Sequence, residues 1–277
     1  MHAPIVAVHG VASRQPGLDP PTAALALAER WTARLADGYR AAGRPGPPPR
    51  LAAAYYAHLL DVRAQEDPGD LDALSPQERD WARTWLTVLG VPPEAAPGPP
   101  TRPLRQALDR LARRRGRPAE ALGRVMAALL REVYVYMTRP ALRERCRVAV
   151  VEALERSGAH IVVAHSLGTV VAYEALCARP DLTIELLVTL GSPLGLPGAV
   201  FDGLVPPPAA GRAERPAGVG RWVDLADPGD LVATPARLGD HFPADRHEEV
   251  DVGLLDPHTF GGYLSSGPVA AAIDPYV

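Results

Sequence analysis

A buried strand that runs straight into a serine and then a helix constrains this chain more than any other feature. Ile161, Val162 and Val163 form a β-branched apolar run, which suits a strand covered on both faces. Ala164-His165-Ser166-Leu167-Gly168 follows at once, and Thr169 to Leu176 reads as a helix. A serine at such a turn has its hydroxyl pushed above the sheet edge, where a neighbouring base can activate it. A turn this sharp brings strand and helix together, so positions 164 and 168 must carry little or no side chain. The N–H of Leu167 would then lie at the positive end of the helix, where an oxyanion could form. The plainer alternative is a βα turn in which Ser166 only caps the helix.

The remaining composition narrows the class of protein. The chain has 277 residues, enough for one α/β domain with an insertion. Hydrophobic residues make up 47% and charged residues 22%, so a sizeable core is available. The net charge of −3 gives no global field that would favour nucleic acid. All 29 basic residues are arginine. Cys146 and Cys177 form no close pair, which argues against a disulfide framework or a cysteine-ligated metal. No apolar stretch is long enough to span a bilayer, and no signal-like segment precedes Ile5-Val6-Ala7-Val8. A cytoplasmic location is the expectation.

Taken in order, Pro4 to Val8 reads as a strand that ends in His9-Gly10-Val11. Gly10 would let the chain turn so that the Val11 N–H faces the same oxygen as the Leu167 N–H. His9 is expected to be structural, because the work of this loop falls to its backbone. A helix follows from Thr22 to about Ala42, then a strand at Leu51 to Tyr56. A crossover between parallel strands needs only a dozen or so residues, and the stretch from Tyr56 to Ile161 is far longer. Ala141 to Arg156 can serve as the crossover helix. Residues 65–138 are therefore expected to form an inserted helical cap, with residues 1–64 and 139–277 as the core. The cap's clearest helix, Ala119 to Met137, has an apolar stripe that includes Val125, Met126 and Leu130. That stripe is most simply packing between cap helices; a sharper reading has part of it roofing an apolar pocket. Arg113-Arg114-Arg115-Gly116-Arg117 reads as a solvated face; a phosphate-bearing substrate is the alternative.

Downstream, Ile184 to Leu190 is a strand ending in Gly191-Ser192-Pro193-Leu194, and Leu196 to Gly220 is a Pro/Gly-rich loop of lid length. Arg221 to Ala226 is a strand followed by Asp227-Pro228-Gly229-Asp230. Glu248 to Val252 reads as the last strand, with Asp256-Pro257-His258 after it. His241 and His247 would precede that strand and lie at the wrong end of the sheet, so His258 is the expected base for Ser166. Asp230 is the expected acid. Asp227 remains the alternative, and Asp224, within the strand, is a poor candidate. His165 should point away from the base and serve packing.

The order serine, acid, histidine, together with the His9-Gly10-Val11 loop, Ala164-His165-Ser166-Leu167-Gly168, Gly191-Ser192-Pro193-Leu194, Asp227 to Val232 and His258 before Gly262-Tyr263-Leu264, resembles the α/β-hydrolase superfamily, in particular its bacterial lipase/esterase-like members. The resemblance covers about residues 4–60 and 140–277. Ala164 stands where the first glycine of the motif usually stands, and the two N-terminal strands of the full fold are missing. The implied architecture is a mostly parallel sheet of about six strands with flanking helices and the inserted cap. The implied chemistry is ester hydrolysis through an acyl-serine by Ser166, His258 and Asp230, with Val11 and Leu167 as oxyanion donors. It calls for no metal or organic cofactor, and for a small acyl substrate as the partner. Acyl transfer and thioester or amide cleavage would use the same three residues. A hydrolase-like fold kept only for binding is the non-catalytic alternative.

Overall fold

Val6 and Val8 point to one side of their strand, Ile5 and Ala7 to the other, and all four are buried. Both faces of the sheet are therefore covered, as the unbroken apolar runs require. The computed structural model describes residues 3–44, 46–60, 71–116, 118–233, 237–253 and 258–277, with only the backbone of Ala121, Arg124, Val125 and Ala128. The expected start of the insertion at 65–70, Arg117, the Val125 side chain and the Asp256-Pro257 pair lie outside the described residues.

Six strands form one sheet: β1 (Ile5–Val8), β2 (Leu51–Ala54), β3 (Ile161–His165), β4 (Ile184–Leu190), β5 (Val219–Ala226) and β6 (Arg246–Glu249). Every neighbouring pair is parallel, in the order β2-β1-β3-β4-β5-β6. The order reverses direction at β1 and β3, the position where α/β sheets open a crevice at their carboxyl edge. Helix α1 (Pro20–Ala41) covers one face together with α7 (Phe260–Ser265) and α8 (Pro268–Ile273), packing on Ile5, Ile161, Val163, Leu186 and Leu225. Helices α5 (Pro140–Ser157) and α6 (Leu167–Ala178) cover the other, packing on Val6, Val162, Leu187 and Trp222.

Three further helices stand between β2 and α5: α2 (Pro76–Val88), α3 (Arg102–Arg115) and α4 (Ala119–Thr138). The local signals at their ends are plain. Ser75 and Glu78 form a reciprocal capping box at the start of α2. Gly116 closes α3 in a left-handed conformation. These helices reach the carboxyl edge of the sheet at named atoms. Trp85 Nε1 donates to the Leu231 carbonyl at 2.8 Å, and an Arg115 guanidinium nitrogen donates to the Pro228 carbonyl at 2.7 Å. At the other end of α4, the Tyr136 hydroxyl and the Arg143 guanidinium both bond Glu174, which is wholly buried on α6. Arg113 to Gly116 are exposed, as a solvated face requires, and Arg115 makes its bond to Pro228 from that face.

Two expectations change in detail. The last strand runs from Arg246 to Glu249 rather than from Glu248 to Val252, because backbone pairing with β5 sets its limits. His247 therefore lies within the strand. The stretch expected as a loop from Leu196 to Gly220 is packed in its first part, where Leu196, Ala199, Val200, Phe201 and Leu204 are buried around a short 3-10 turn at Phe201–Gly203; 205–212 is mostly exposed, and its last two residues already belong to β5. No described helix is long and apolar enough to cross a membrane.

Candidate active site

Ser166 stands between β3 and α6 with φ 53° and ψ −130°. A non-glycine residue rarely adopts a positive φ, and it persists only where the surroundings hold it. The hold here is steric. A methyl group on Gly168 would fall on the carbonyls of Val8 and His9, and one on Gly10 would fall on Ser166 Cβ. The β1 loop is thus wedged against the turn, which explains why position 168 has no side chain. The Ser166 N–H continues the ladder to the Leu190 carbonyl at 3.0 Å, so the turn begins only after the sheet has released its last bond.

His258 meets Ser166 from beyond β6. Its Nε2 lies 2.9 Å from Ser166 Oγ, and its Nδ1 lies 2.8 Å from Asp230 Oδ2. Ser166, Asp230 and His258 thus form one hydrogen-bonded line across the carboxyl ends of β3, β5 and β6. Asp230 is buried, and its other oxygen accepts the Val232 N–H at 2.8 Å. Asp227 does different work. Its two oxygens accept the N–H groups of Gly229 and Val252, at 2.6 and 2.7 Å, so it ties the turn to the segment after β6. Such a use of Asp beside Pro-Gly is ordinary turn chemistry.

Two residues that sequence reasoning did not single out complete the acid's surroundings. The Tyr263 hydroxyl donates to Asp230 Oδ2 at 2.7 Å and accepts the Asp227 N–H at 2.9 Å. Burial, with Asp230 beside it, keeps this phenol protonated far above its ordinary range. Gly191 has φ 53°, and a methyl group there would fall on Asp230 Oδ2. Both residues were within the Gly191-Ser192 and Gly262-Tyr263 segments, but no spacing rule connects either one to an acid.

The other histidines separate clearly. His9 is buried, its Nδ1–H donates to the Gly10 carbonyl at 2.8 Å, and its Nε2 accepts the Tyr56 N–H at 3.1 Å. Burial lowers it to about 4, so it is neutral and structural, as its sequence position suggested. His247 faces Asp224 at 2.8 Å, and Asp224 accepts the Thr189 hydroxyl at 2.7 Å. This second His–Asp pair runs across β4, β5 and β6, and among the described residues His247 Nε2 meets no hydrogen-bond partner. His165 departs from expectation. It does not point away from the base but packs on it, with ring centroids 4.6 Å apart, and stacks on Phe260 at 5.3 Å. The reason is strand alternation: Ile161, Val163 and His165 share the face on which α7 lies, and His258 immediately precedes α7. Burial and the neighbouring histidines hold His165 neutral.

Ser166 has no exposed surface, and the His258 side chain is 10% exposed. A crevice of about 10 Å³, room for one water at most, separates Trp81, Trp85, Leu130 and Val133 from the Pro193–Val200 loop. Leu130 lines it and Met126 does not. A far larger groove, about 1500 Å³, follows the open edge of β2 between α1 and α5, and no residue of the Ser166 site lines it. Among the described residues, no cluster of three His, Cys, Asp or Glu side chains could hold a metal ion. Comparison of the chain with protein-family models, with curated proteins and with solved structures finds no match in any of the three.

Proposed function

We propose that this chain is a serine hydrolase that cleaves a carboxylic ester through an acyl-serine. The single observation that supports this most is the line Ser166 Oγ, His258 Nε2, Nδ1, Asp230 Oδ2, with steps of 2.9 and 2.8 Å, on a serine held at positive φ. A helix-capping serine would need neither the strained backbone nor a histidine–aspartate pair at its hydroxyl. The parallel sheet, the serine at a strand–helix turn and the chain order serine, acid, histidine together fit an α/β-hydrolase fold in which α2–α4 belong to an inserted cap.

In the proposed reaction, His258 Nε2 takes the Ser166 proton as Oγ bonds to the ester carbonyl carbon. The carbonyl electrons move to oxygen, and the N–H groups of Val11 and Leu167 stabilise that charge. Collapse breaks the bond to the alcohol oxygen, which leaves with the proton from His258. Water then attacks the acyl-serine with His258 again as base, and the acid is released as Ser166 recovers its proton. Asp230 fixes the imidazole tautomer and stabilises its cation, while Tyr263 and the Val232 N–H fix Asp230. No step calls for a metal or an organic cofactor. Because Ser166 is covered, side chains above it must part for an ester to reach it.

A fluorophosphonate probe and a series of p-nitrophenyl esters test the proposal. Labelling at Ser166 and hydrolysis of at least one ester are expected, with kcat/KM rising along short acyl chains, since each buried methylene is worth about 0.8 kcal/mol. Leu130→Ala should move the preferred length upward. Absence of both labelling and turnover would reject an enzymatic role and leave the binding module.

A further inference from the structure

The helices between β2 and α5 reach the surroundings of Ser166 at one backbone atom of the β1 loop. Glu132 lies on α4, and its Oε1 accepts the Ala12 N–H at 2.8 Å. Ala12 has φ 56°, a left-handed conformation that alanine keeps only where something holds it. The residue before it, Val11, carries one of the two N–H groups that the proposed reaction uses. The strained residue of the oxyanion turn is therefore the residue that α4 grips.

We propose that Glu132 is a positioning residue: from α4 it fixes the Ala12 turn and so aims the Val11 N–H at the oxyanion. This rests on the serine-hydrolase reading above. Glu132 also brings a titratable group close to the place where negative charge would develop. Burial raises its carboxyl to about 7, against a smaller opposing pull from the Ala12 N–H. Tyr56, at the end of β2, feels the Glu132 charge and is itself held protonated, chiefly by burial. His9, stacked on Tyr56, is neutral, and Cys146 on α5 is pushed up to about 12. Arg131 adjoins Glu132 in the chain, and Arg14 lies two residues beyond Ala12. A neutral carboxyl accepts the Ala12 N–H through its carbonyl oxygen and leaves the oxyanion unopposed. A carboxylate accepts the same bond but repels the oxyanion. The proposed activity should therefore decline as pH rises through Glu132's range.

Glu132→Gln and Glu132→Ala in the full chain separate the two effects. Glutamine keeps the acceptor without the charge, so its kcat for p-nitrophenyl acetate should lack the wild-type decline above about pH 7. Alanine removes the acceptor, so kcat and the rate of fluorophosphonate labelling should fall about tenfold at every pH, with KM within about twofold. This is less than the loss of an oxyanion donor itself. Melting curves report on the fold and on the carboxyl together: Glu132→Gln should be more stable than wild type at pH 9 and equal to it at pH 4, since the half-buried neutral carboxyl is lost as pH rises. An alkaline decline unchanged in Glu132→Gln, or a wild-type kcat in a folded Glu132→Ala, would overturn the proposal. If wild type takes no label at Ser166, the hydrolase reading fails and the positioning role fails with it. Labelling of wild type that Ser166→Ala abolishes keeps the hydrolase reading whatever the Glu132 variants do.

Discussion

Tyr263 and His258 converge on one oxygen: Asp230 Oδ2 accepts the tyrosine hydroxyl at 2.7 Å and faces His258 Nδ1 at 2.8 Å. The tyrosine arrives five residues after the histidine, on the first turn of α7, so one short segment supplies both partners of the acid. Its hydroxyl also accepts the Asp227 N–H. Tyr263→Phe therefore strands a buried donor and removes one bond from Asp230. Leaving such a group unpaired costs about 1–3 kcal/mol. Thermal unfolding should show that loss, and ester turnover should fall in kcat more than in KM, because the acid is less firmly held and no contact with substrate is removed.

Gly191 and Gly168 should respond differently to alanine. At Gly191 the added methyl meets the Asp230 carboxylate and the Tyr263 ring edge, which are side chains and can turn aside. Gly191→Ala also places alanine at φ 53°, which costs about 1 kcal/mol or more, but its larger effect should be a loss of the His258–Asp230 contact and a fall in kcat; a crystal structure of the variant would show the displaced carboxylate. At Gly168 the methyl meets the carbonyls of Val8 and His9, which the sheet fixes. Overpacking of this kind costs about 1–3 kcal/mol or more, so Gly168→Ala should show a lower denaturation midpoint as its first defect.

Ser166→Ala should abolish fluorophosphonate labelling while the chain stays folded. Its strain remains, because alanine at φ 53° is no better placed than serine. Ser166→Gly relieves it and should be about 1 kcal/mol more stable than Ser166→Ala. Equal stabilities by urea denaturation would mean that the positive φ costs nothing at this turn.

His9 predicts an acid-side loss of stability. Burial lowers it from 6.5 to about 4 in the folded chain. Between those values the unfolded chain binds the extra proton and the folded chain does not, so stability is full above about pH 6.5 and is lost as pH falls toward 4. A shift of this size corresponds to about 3 kcal/mol. His165, lowered for the same reason, acts in the same direction. A His9 variant that keeps the fold, such as His9→Asn, should flatten the pH dependence of the melting temperature over this window. Asparagine's side chain can still serve as donor to Gly10 and acceptor from Tyr56, although its reach is shorter.

Local rules fix much of this protein without any tertiary contact. The apolar runs at Ile5, Ile161 and Ile184, the capping signal at Ser75 and Glu78, and the parallel spacing of strands and helices are near-neighbour properties, and the sheet of six parallel strands follows them. The serine turn was equally visible, because its demand for small residues is written within five positions. The order of Asp230 and His258 along the chain pointed to the candidates, since both follow strands that must end where Ser166 is.

Other features depended on distance through space rather than along the chain. Asp227 and Asp230 are three residues apart and chemically alike; only the Val252 N–H and the approach of His258 and Tyr263 distinguish the turn acid from the one facing imidazole. His247 and His258 each find an aspartate, and only the fold decides which pair meets a serine. His165 packs on His258 because a strand residue's face is set by the sheet, while the loop carrying His258 returns to that same face. Glu132 looks like any acidic residue on an amphipathic helix, and its meeting with Ala12 spans 120 positions. Sequence spacing carries information over one turn or one strand. Which distant groups then share a desolvated edge of the sheet is decided by packing alone.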